Sequence, residues 1–209
     1  MEDFEVNSRN WVRLFLTTLA IGGISTGIIG FIVKWSEYKD LFIQLEIVQI
    51  LSVVVWLIGV GFIFSIISQM GFFAYLTIHR FGLGIFRSVS LWNSIQLLLI
   101  GFVLFDLIYF RYQMFAQAGE SLQSYIWIAL FILIVGLVIA YIKSKQTNKV
   151  AFIPALFFMV VATIIEWVPA LRANEASWLY LMLFPLLICN AYQLLILHKI
   201  NSKIAVKKS

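Results

Sequence analysis

The sequence has little charge, cysteine, histidine or proline. Of its 209 residues only 12% are charged, and there are one cysteine, two histidines and three prolines. A chain that is 62% hydrophobic carries more apolar surface than one soluble core could bury, which excludes a soluble globular domain. A single cysteine, Cys189, excludes a disulfide framework within the chain.

Enzyme motifs are also missing. The sequence has no His-Glu-x-x-His, no Gly-x-Ser-x-Gly elbow and no phosphate-binding glycine loop. Intramembrane aspartyl chemistry needs two facing aspartates, and the apolar runs hold one. We therefore predict a protein that is not an enzyme and uses no cofactor or metal. The formal charge of +5 comes from basic residues in short loops, which indicates membrane topology rather than nucleic-acid binding.

Long apolar runs are what the sequence does contain. A helix needs about 20 apolar residues to cross a bilayer, and six runs reach or approach that length. The predicted fold class is all-α: a polytopic integral membrane protein that forms one transmembrane domain over residues 1–209. The six predicted spans are followed by a basic tail at 199–209, and they cover about 11–33, 47–70, 88–110, 124–142, 150–171 and 178–198.

The second apolar run is too long for one crossing. It extends 32 residues from Ile47 to Ile78 without a charge, about 48 Å of helix against a hydrocarbon core of ~30 Å. Either the helix tilts and projects beyond the bilayer, or it breaks near Gly71 and Phe72 to Ile78 lies along the interface; of the two, the break is favoured because the residues from His79 to Gly84 continue as a loop.

The distribution of lysine and arginine predicts orientation. Alternate loops carry 11 basic residues on the side of the two termini and 4 on the other. Because short cytoplasmic loops are enriched in basic residues, both termini are predicted to be cytoplasmic, in a multi-pass protein of the bacterial cytoplasmic membrane.

The first span carries small residues at helical spacing. Two ladders of this kind let a neighbouring helix approach closely, so they predict a helix-packing face. Packing within the chain is favoured, and self-association into a homo-oligomer is kept as the lesser alternative. The face comprises Gly22, Gly23, Thr26, Gly27 and Gly30.

Polar side chains inside the spans are the candidate functional residues, since each is unfavourable in lipid unless it contacts protein or water. From the order of the spans, Asp106 and Glu166 should lie in the outer third of the membrane. They either extend to the outer lipid headgroups or pair with nearby basic residues, or they line an outward-facing cavity for a cation, a proton or a ligand amine. Five carboxamides should form a separate inner layer, for interhelical hydrogen bonds or recognition: Asn93, Gln96, Gln69, Asn190 and Gln193.

The stretches Ser8–Gly23 and Leu91–Tyr112 resemble the sporulation kinase B signalling-pathway activation proteins, the KbaA family of Bacillus-type spore formers. The resemblance implies a protein of the cytoplasmic membrane that helps to activate a membrane-bound sensor histidine kinase, feeding the sporulation phosphorelay. It implies no catalytic residues. The alternative from the residues alone is a small six-helix transporter or ligand-binding channel that uses Asp106 and Glu166.

Overall fold

The computed structural model describes residues 8–116 and 120–206, with side chains described for 9–116 and 120–198. Six helical segments are long and apolar enough to cross a membrane. The basic side chains of the tail at 199–209 lie outside the described part. The helices are α1 (Ser8–Val33), α2 (Trp35–Ile43), α3 (Ile47–Phe86), α4 (Val89–Phe115), α5 (Gln123–Gln146), α6 (Phe152–Phe157), α7 (Thr163–Ala173) and α8 (Ala176–Val206).

The fifth of these six candidate membrane-spanning segments, Lys149–Ala173, is called the fifth crossing here, and it is not a uniform α-helix. It begins with a 3-10 turn at Lys149–Ala151, continues through α6, and passes through a π-helical segment at Phe158–Ala162 before α7. A π-helical segment inserts an extra residue into the helix and so turns the following side chains to a new direction. Thr163 follows this segment directly, and Glu166 lies three residues further along α7.

The predicted break at Gly71 is wrong, because α3 runs unbroken for 40 residues. A glycine inside a helix costs only about 1 kcal/mol relative to alanine, so a glycine alone does not end a helix. The helix ends at Phe86 and is capped by Arg87, whose left-handed φ of 49° starts the turn into α4. The polar loop expected after the first span contains the nine-residue helix α2.

The glycine face of α1 packs against α3. A Cβ atom at Gly22 would lie 2.6 Å from Cβ of Ser65, and one at Gly30 would lie 2.5 Å from the side chain of Leu57. Gly61 of α3 is equally tight, since a Cβ there would overlap the backbone of Gly22 and Gly23. The two helices therefore meet backbone to backbone, and this face is occupied within the chain.

The fifth crossing and α8 form the centre of the bundle. In their most apolar stretches 61% of the residues are buried, against 22–28% in the other four crossings. Both central segments contain a buried proline, Pro154 in α6 and Pro185 in α8. α4 lies at the periphery and buries one stripe made of Trp92, Gln96, Ile100 and Leu107. Polar side chains on the central segments are thus covered by the rest of the bundle, whereas most of the surface of α4 is not.

Candidate functional site

A buried polar cluster joins α3, α7 and α8, with Asn190 at its centre. The Asn190 amide nitrogen donates to Oε2 of Glu166 at 2.7 Å and to Oγ1 of Thr163 at 2.9 Å. Its oxygen accepts from the Ser68 hydroxyl at 2.6 Å. Asn190, Thr163 and Ser68 are fully buried, and Glu166 is 6% exposed. One side chain therefore holds three helices together by hydrogen bonds.

The cluster continues along α3 and α8. Gln193 lies one turn beyond Asn190, and its amide nitrogen donates to Oγ of Ser68 at 2.7 Å. On α3, the Gln69 amide nitrogen donates to Oγ of Ser65 at 3.2 Å. These bonds use most of the donors in the cluster, and the amide oxygen of Gln193 is left without a partner among the described residues.

The second carboxylate oxygen of Glu166 faces the backbone of α3. Oε1 is buried and has no hydrogen-bond partner among the described residues. A Cβ atom at Gly71 would overlap this carboxylate, so only glycine gives Glu166 the room it occupies. Gly71 is therefore a point of close approach between α3 and the fifth crossing.

This geometry corrects the predicted separation into two layers. Glu166 was expected with Asp106 in an outer layer, apart from the carboxamides, yet it is hydrogen-bonded to Asn190. The predicted depth of each side chain assumed that every span is a straight helix perpendicular to the membrane. The π-helical segment and the long α3 alter both direction and depth, which brings Glu166, Asn190, Gln193 and Gln69 into one region.

The polar residues of α4 lie elsewhere. Asp106 is exposed on the side of α4 that faces away from the bundle, and it makes no hydrogen bond or ion pair with any described residue. Gln96 is fully buried, and neither of its amide atoms has a partner in the described part of the chain. Asn93 is half-buried and its oxygen is similarly unpartnered. Asp106 and Glu166 thus belong to separate environments.

Several polar contacts were not foreseen from the sequence. Ser68 and Thr163 were missed because small hydroxyl residues are common in apolar helices, although they are typical of helix–helix contacts. Near the ends of the bundle, Trp92 donates its indole N–H to Nδ1 of His79 at 3.0 Å, and Nη2 of Arg111 donates to Oδ1 of Asn174 at 3.1 Å. The Arg111 guanidinium also lies 5.1 Å from the ring centre of Tyr125.

The chemistry available in the cluster is hydrogen bonding between helices. Across the described ranges, no three His, Cys, Asp or Glu side chains come close enough together to hold a metal ion. The cluster pairs one carboxylate with amides and hydroxyls, which suits it to fixing the relative positions of α3, α7 and α8.

Two cavities lie near opposite ends of the bundle. One has a volume of about 330 Å³ and is lined by polar and aromatic groups that include Arg111, Glu120, Tyr125 and Asn174. The other has a volume of about 470 Å³ and opens where α3 and α5 end and the fifth crossing begins. Neither Asp106 nor Glu166 lines them.

Comparison with known proteins identifies relatives along almost the whole chain. A sequence model of the KbaA family, described as KinB-signalling pathway activation in sporulation, matches residues 22–200. The chain is 56% identical over 198 residues to the KinB-signaling pathway activation protein of Bacillus subtilis (strain 168), an alignment that covers 95% of this chain and 100% of that relative. No solved structure matches. The resemblance that the sequence showed at Ser8–Gly23 and Leu91–Tyr112 is confirmed.

Proposed function

Since this chain belongs to the KbaA family, which acts in KinB-signalling pathway activation in sporulation, we propose that it is a membrane-embedded regulator that contacts the KinB sensor histidine kinase directly. In this proposal the six crossings lie in the bacterial cytoplasmic membrane with both termini in the cytoplasm. The contact is made by one helix face within the bilayer and by the basic loops. The six apolar helices and the bias of basic residues toward one side support the placement.

The occupied faces of the bundle narrow the choice of contact surface. The glycine face of α1 is filled by α3, so it is closed to a helix of another protein. The fifth crossing and α8 are central and mostly buried. α4 is different, since its buried stripe covers one side and leaves the opposite side open. The exposed stripe on that open side is called the α4 face here; it comprises Leu98, Gly101, Phe102, Phe105, Asp106 and Tyr109.

Asp106 is the single observation that carries this proposal. A carboxylate that faces lipid without a partner is unfavourable by several kcal/mol, and such groups usually face protein or water. The aromatic rings beside it pack on each other, because Phe105 and Tyr109 stack with their centroids 5.2 Å apart. Gly101 adds an open position on the same face, where a Cβ atom would meet no other atom within 4 Å. These features fit a transmembrane helix of the partner that carries a basic or hydrogen-bond-donating side chain.

The basic loops supply the second part of the contact. Arg80 and Arg87 flank the end of α3, and Lys145 and Lys149 flank the turn between α5 and the fifth crossing; all four are exposed. They lie at the same end of the bundle as the start of α1 and the end of α8. In the proposed orientation this end is cytoplasmic, where these residues can meet acidic surface on a kinase.

Site-specific photo-crosslinking in spore-forming cells tests the proposal. A photo-reactive phenylalanine analogue at Phe102 should form an adduct with the kinase. The same analogue at Ile134 of α5, which is similarly exposed at 57%, should not. An adduct between two copies of this chain would instead favour the homo-oligomer, and a kinase adduct from Ile134 alone would move the contact to α5.

A bulky substitution tests whether the contact matters for activation. Gly101→Leu fits the fold because nothing within the chain lies near that position, and it should lower kinase-dependent sporulation output by obstructing the partner. Gly59→Leu is the matched control, since Gly59 of α3 is equally open. Normal output from a gene deletion in a strain dependent on that kinase would overturn the proposed function as a whole. Normal output from Gly101→Leu would overturn only the α4 face.

A further inference from the structure

The larger cavity contains a buried cation that the proposed function does not use. The cavity has a volume of about 470 Å³. Most of its wall is apolar, with Leu83, Val89, Val150, Pro154 and Leu197 among the lining residues. Lys143 lines it as well, although that lysine is only 6% exposed.

Lys143 has spare hydrogen-bonding capacity. Its ammonium donates one hydrogen bond, 2.6 Å long, to the backbone oxygen of Leu194 on α8. An ammonium has three N–H groups, so two remain available. A buried charge is normally paired, yet the side chains that line this cavity in the described part of the chain include no aspartate or glutamate. The cavity therefore has a positive group and lacks an anion.

A second donor lines the same wall. Nδ1 of His79 accepts the indole N–H of Trp92 at 3.0 Å. A neutral imidazole that accepts at Nδ1 carries its proton on Nε2, which can donate. His79 and Lys143 come from α3 and α5, so two helices present donors to one cavity.

We propose that this cavity binds an anionic phospholipid, with the phosphate on Lys143 and His79 and an acyl chain along the apolar wall. A phosphate oxygen accepts strongly from an ammonium, and the apolar lining matches hydrocarbon. Free inorganic phosphate shares the head chemistry but would leave the apolar wall uncovered. The site lies at the end of the bundle where basic residues are concentrated, which is the end that attracts anionic lipid. It is distinct from the α4 face and does not depend on the kinase contact.

Thermal unfolding of the purified full-length protein in neutral detergent tests the proposal. Cys189 is the only cysteine in the sequence and is fully buried, so its labelling by a thiol-reactive dye reports unfolding. Phosphatidylglycerol should raise the unfolding temperature, whereas phosphatidylcholine and inorganic phosphate should not. Equal shifts from phosphatidylcholine would overturn the claim of charge recognition. An equal shift from inorganic phosphate would overturn the claim of a lipid.

Two variants locate the site. Lys143→Gln keeps a donor for Leu194 but removes the charge, so the phosphatidylglycerol concentration for half the shift should rise at least about tenfold, equivalent to ~1.4 kcal/mol. Lys145→Gln is the matched control, because Lys145 is exposed on the same helix, and it should bind as the unsubstituted protein does. Val89→Trp puts a larger side chain at the cavity lining on α4 and leaves Lys143 in place, so it should also weaken the effect. An unchanged response in both Lys143→Gln and Val89→Trp would refute the site.

Discussion

Replacing Asn190 with leucine should loosen the centre of the bundle. The substitution keeps a similar volume but removes the three hydrogen bonds that join α8 to Ser68, Thr163 and Glu166. Interhelical hydrogen bonds in membranes contribute about 0.6 kcal/mol each, so their loss destabilises by about 2 kcal/mol. Glu166 would also lose its amide partner while it stays buried, which adds about 1–2 kcal/mol. We therefore expect a total loss of about 3–4 kcal/mol.

Dye labelling of Cys189 during a temperature ramp measures this loss, since the thiol is shielded until the helices separate. For a chain of this length, 3–4 kcal/mol corresponds to a decrease of roughly 6–16 °C in Tm. Asn93→Leu is the matched control: it makes the same chemical change at a half-buried amide whose oxygen has no partner among the described residues. Asn93→Leu should leave Tm nearly unchanged. Equal Tm values for Asn190→Leu and the unsubstituted protein would show that the cluster does not hold the helices together.

Three further substitutions follow from close contacts. Gly61→Ala should destabilise the protein because its Cβ would overlap the backbone of α1, while Gly59→Ala should be neutral; the same thiol assay compares them. Gly71→Ala should displace the Glu166 carboxylate and lower Tm, and a Tm equal to that of Gly59→Ala would contradict the close approach. Tyr75→Phe removes one buried hydrogen bond, from its hydroxyl to the backbone oxygen of Pro154 at 3.0 Å, and should destabilise by about 1 kcal/mol in detergent unfolding experiments.

The number of long apolar helices could be predicted from the sequence because it depends on local composition. A helix long enough to cross a bilayer needs only enough consecutive apolar residues, and six helical segments in the described part of the chain satisfy that requirement. The close packing of α1 was expected from local spacing, since glycines at helical intervals leave one face of the helix without large side chains. Which helix would fill that side could not be predicted, because Gly61 was not distinguished from other glycines in an apolar run.

The sequence indicated several members of the polar cluster but not that they contact one another. Glu166, Asn190, Gln193 and Gln69 were all recognised as unusual within apolar runs. Their meeting depends on helix tilt, on the π-helical segment and on the close approach at Gly71, and none of these leaves a simple pattern in the sequence. Gly71 is an example: its place in a long apolar run favoured a break over a tilted, projecting helix, whereas the structure has an unbroken helix with Glu166 in close contact at Gly71.

The unbroken length of α3 has a mechanical consequence. At ~1.5 Å per residue its 40 residues form a rod about 60 Å long, twice the thickness of the hydrocarbon core. The rod has no hinge, so a rotation applied at its end near Arg87 also turns Ser68 and Gly71 in the middle. A rotation of the α3–α4 turn would therefore alter the hydrogen bonds of the polar cluster. Conversely, a change in those hydrogen bonds would move the α3–α4 turn. The same helix therefore forms part of the bundle and connects the α3–α4 turn mechanically to the polar cluster.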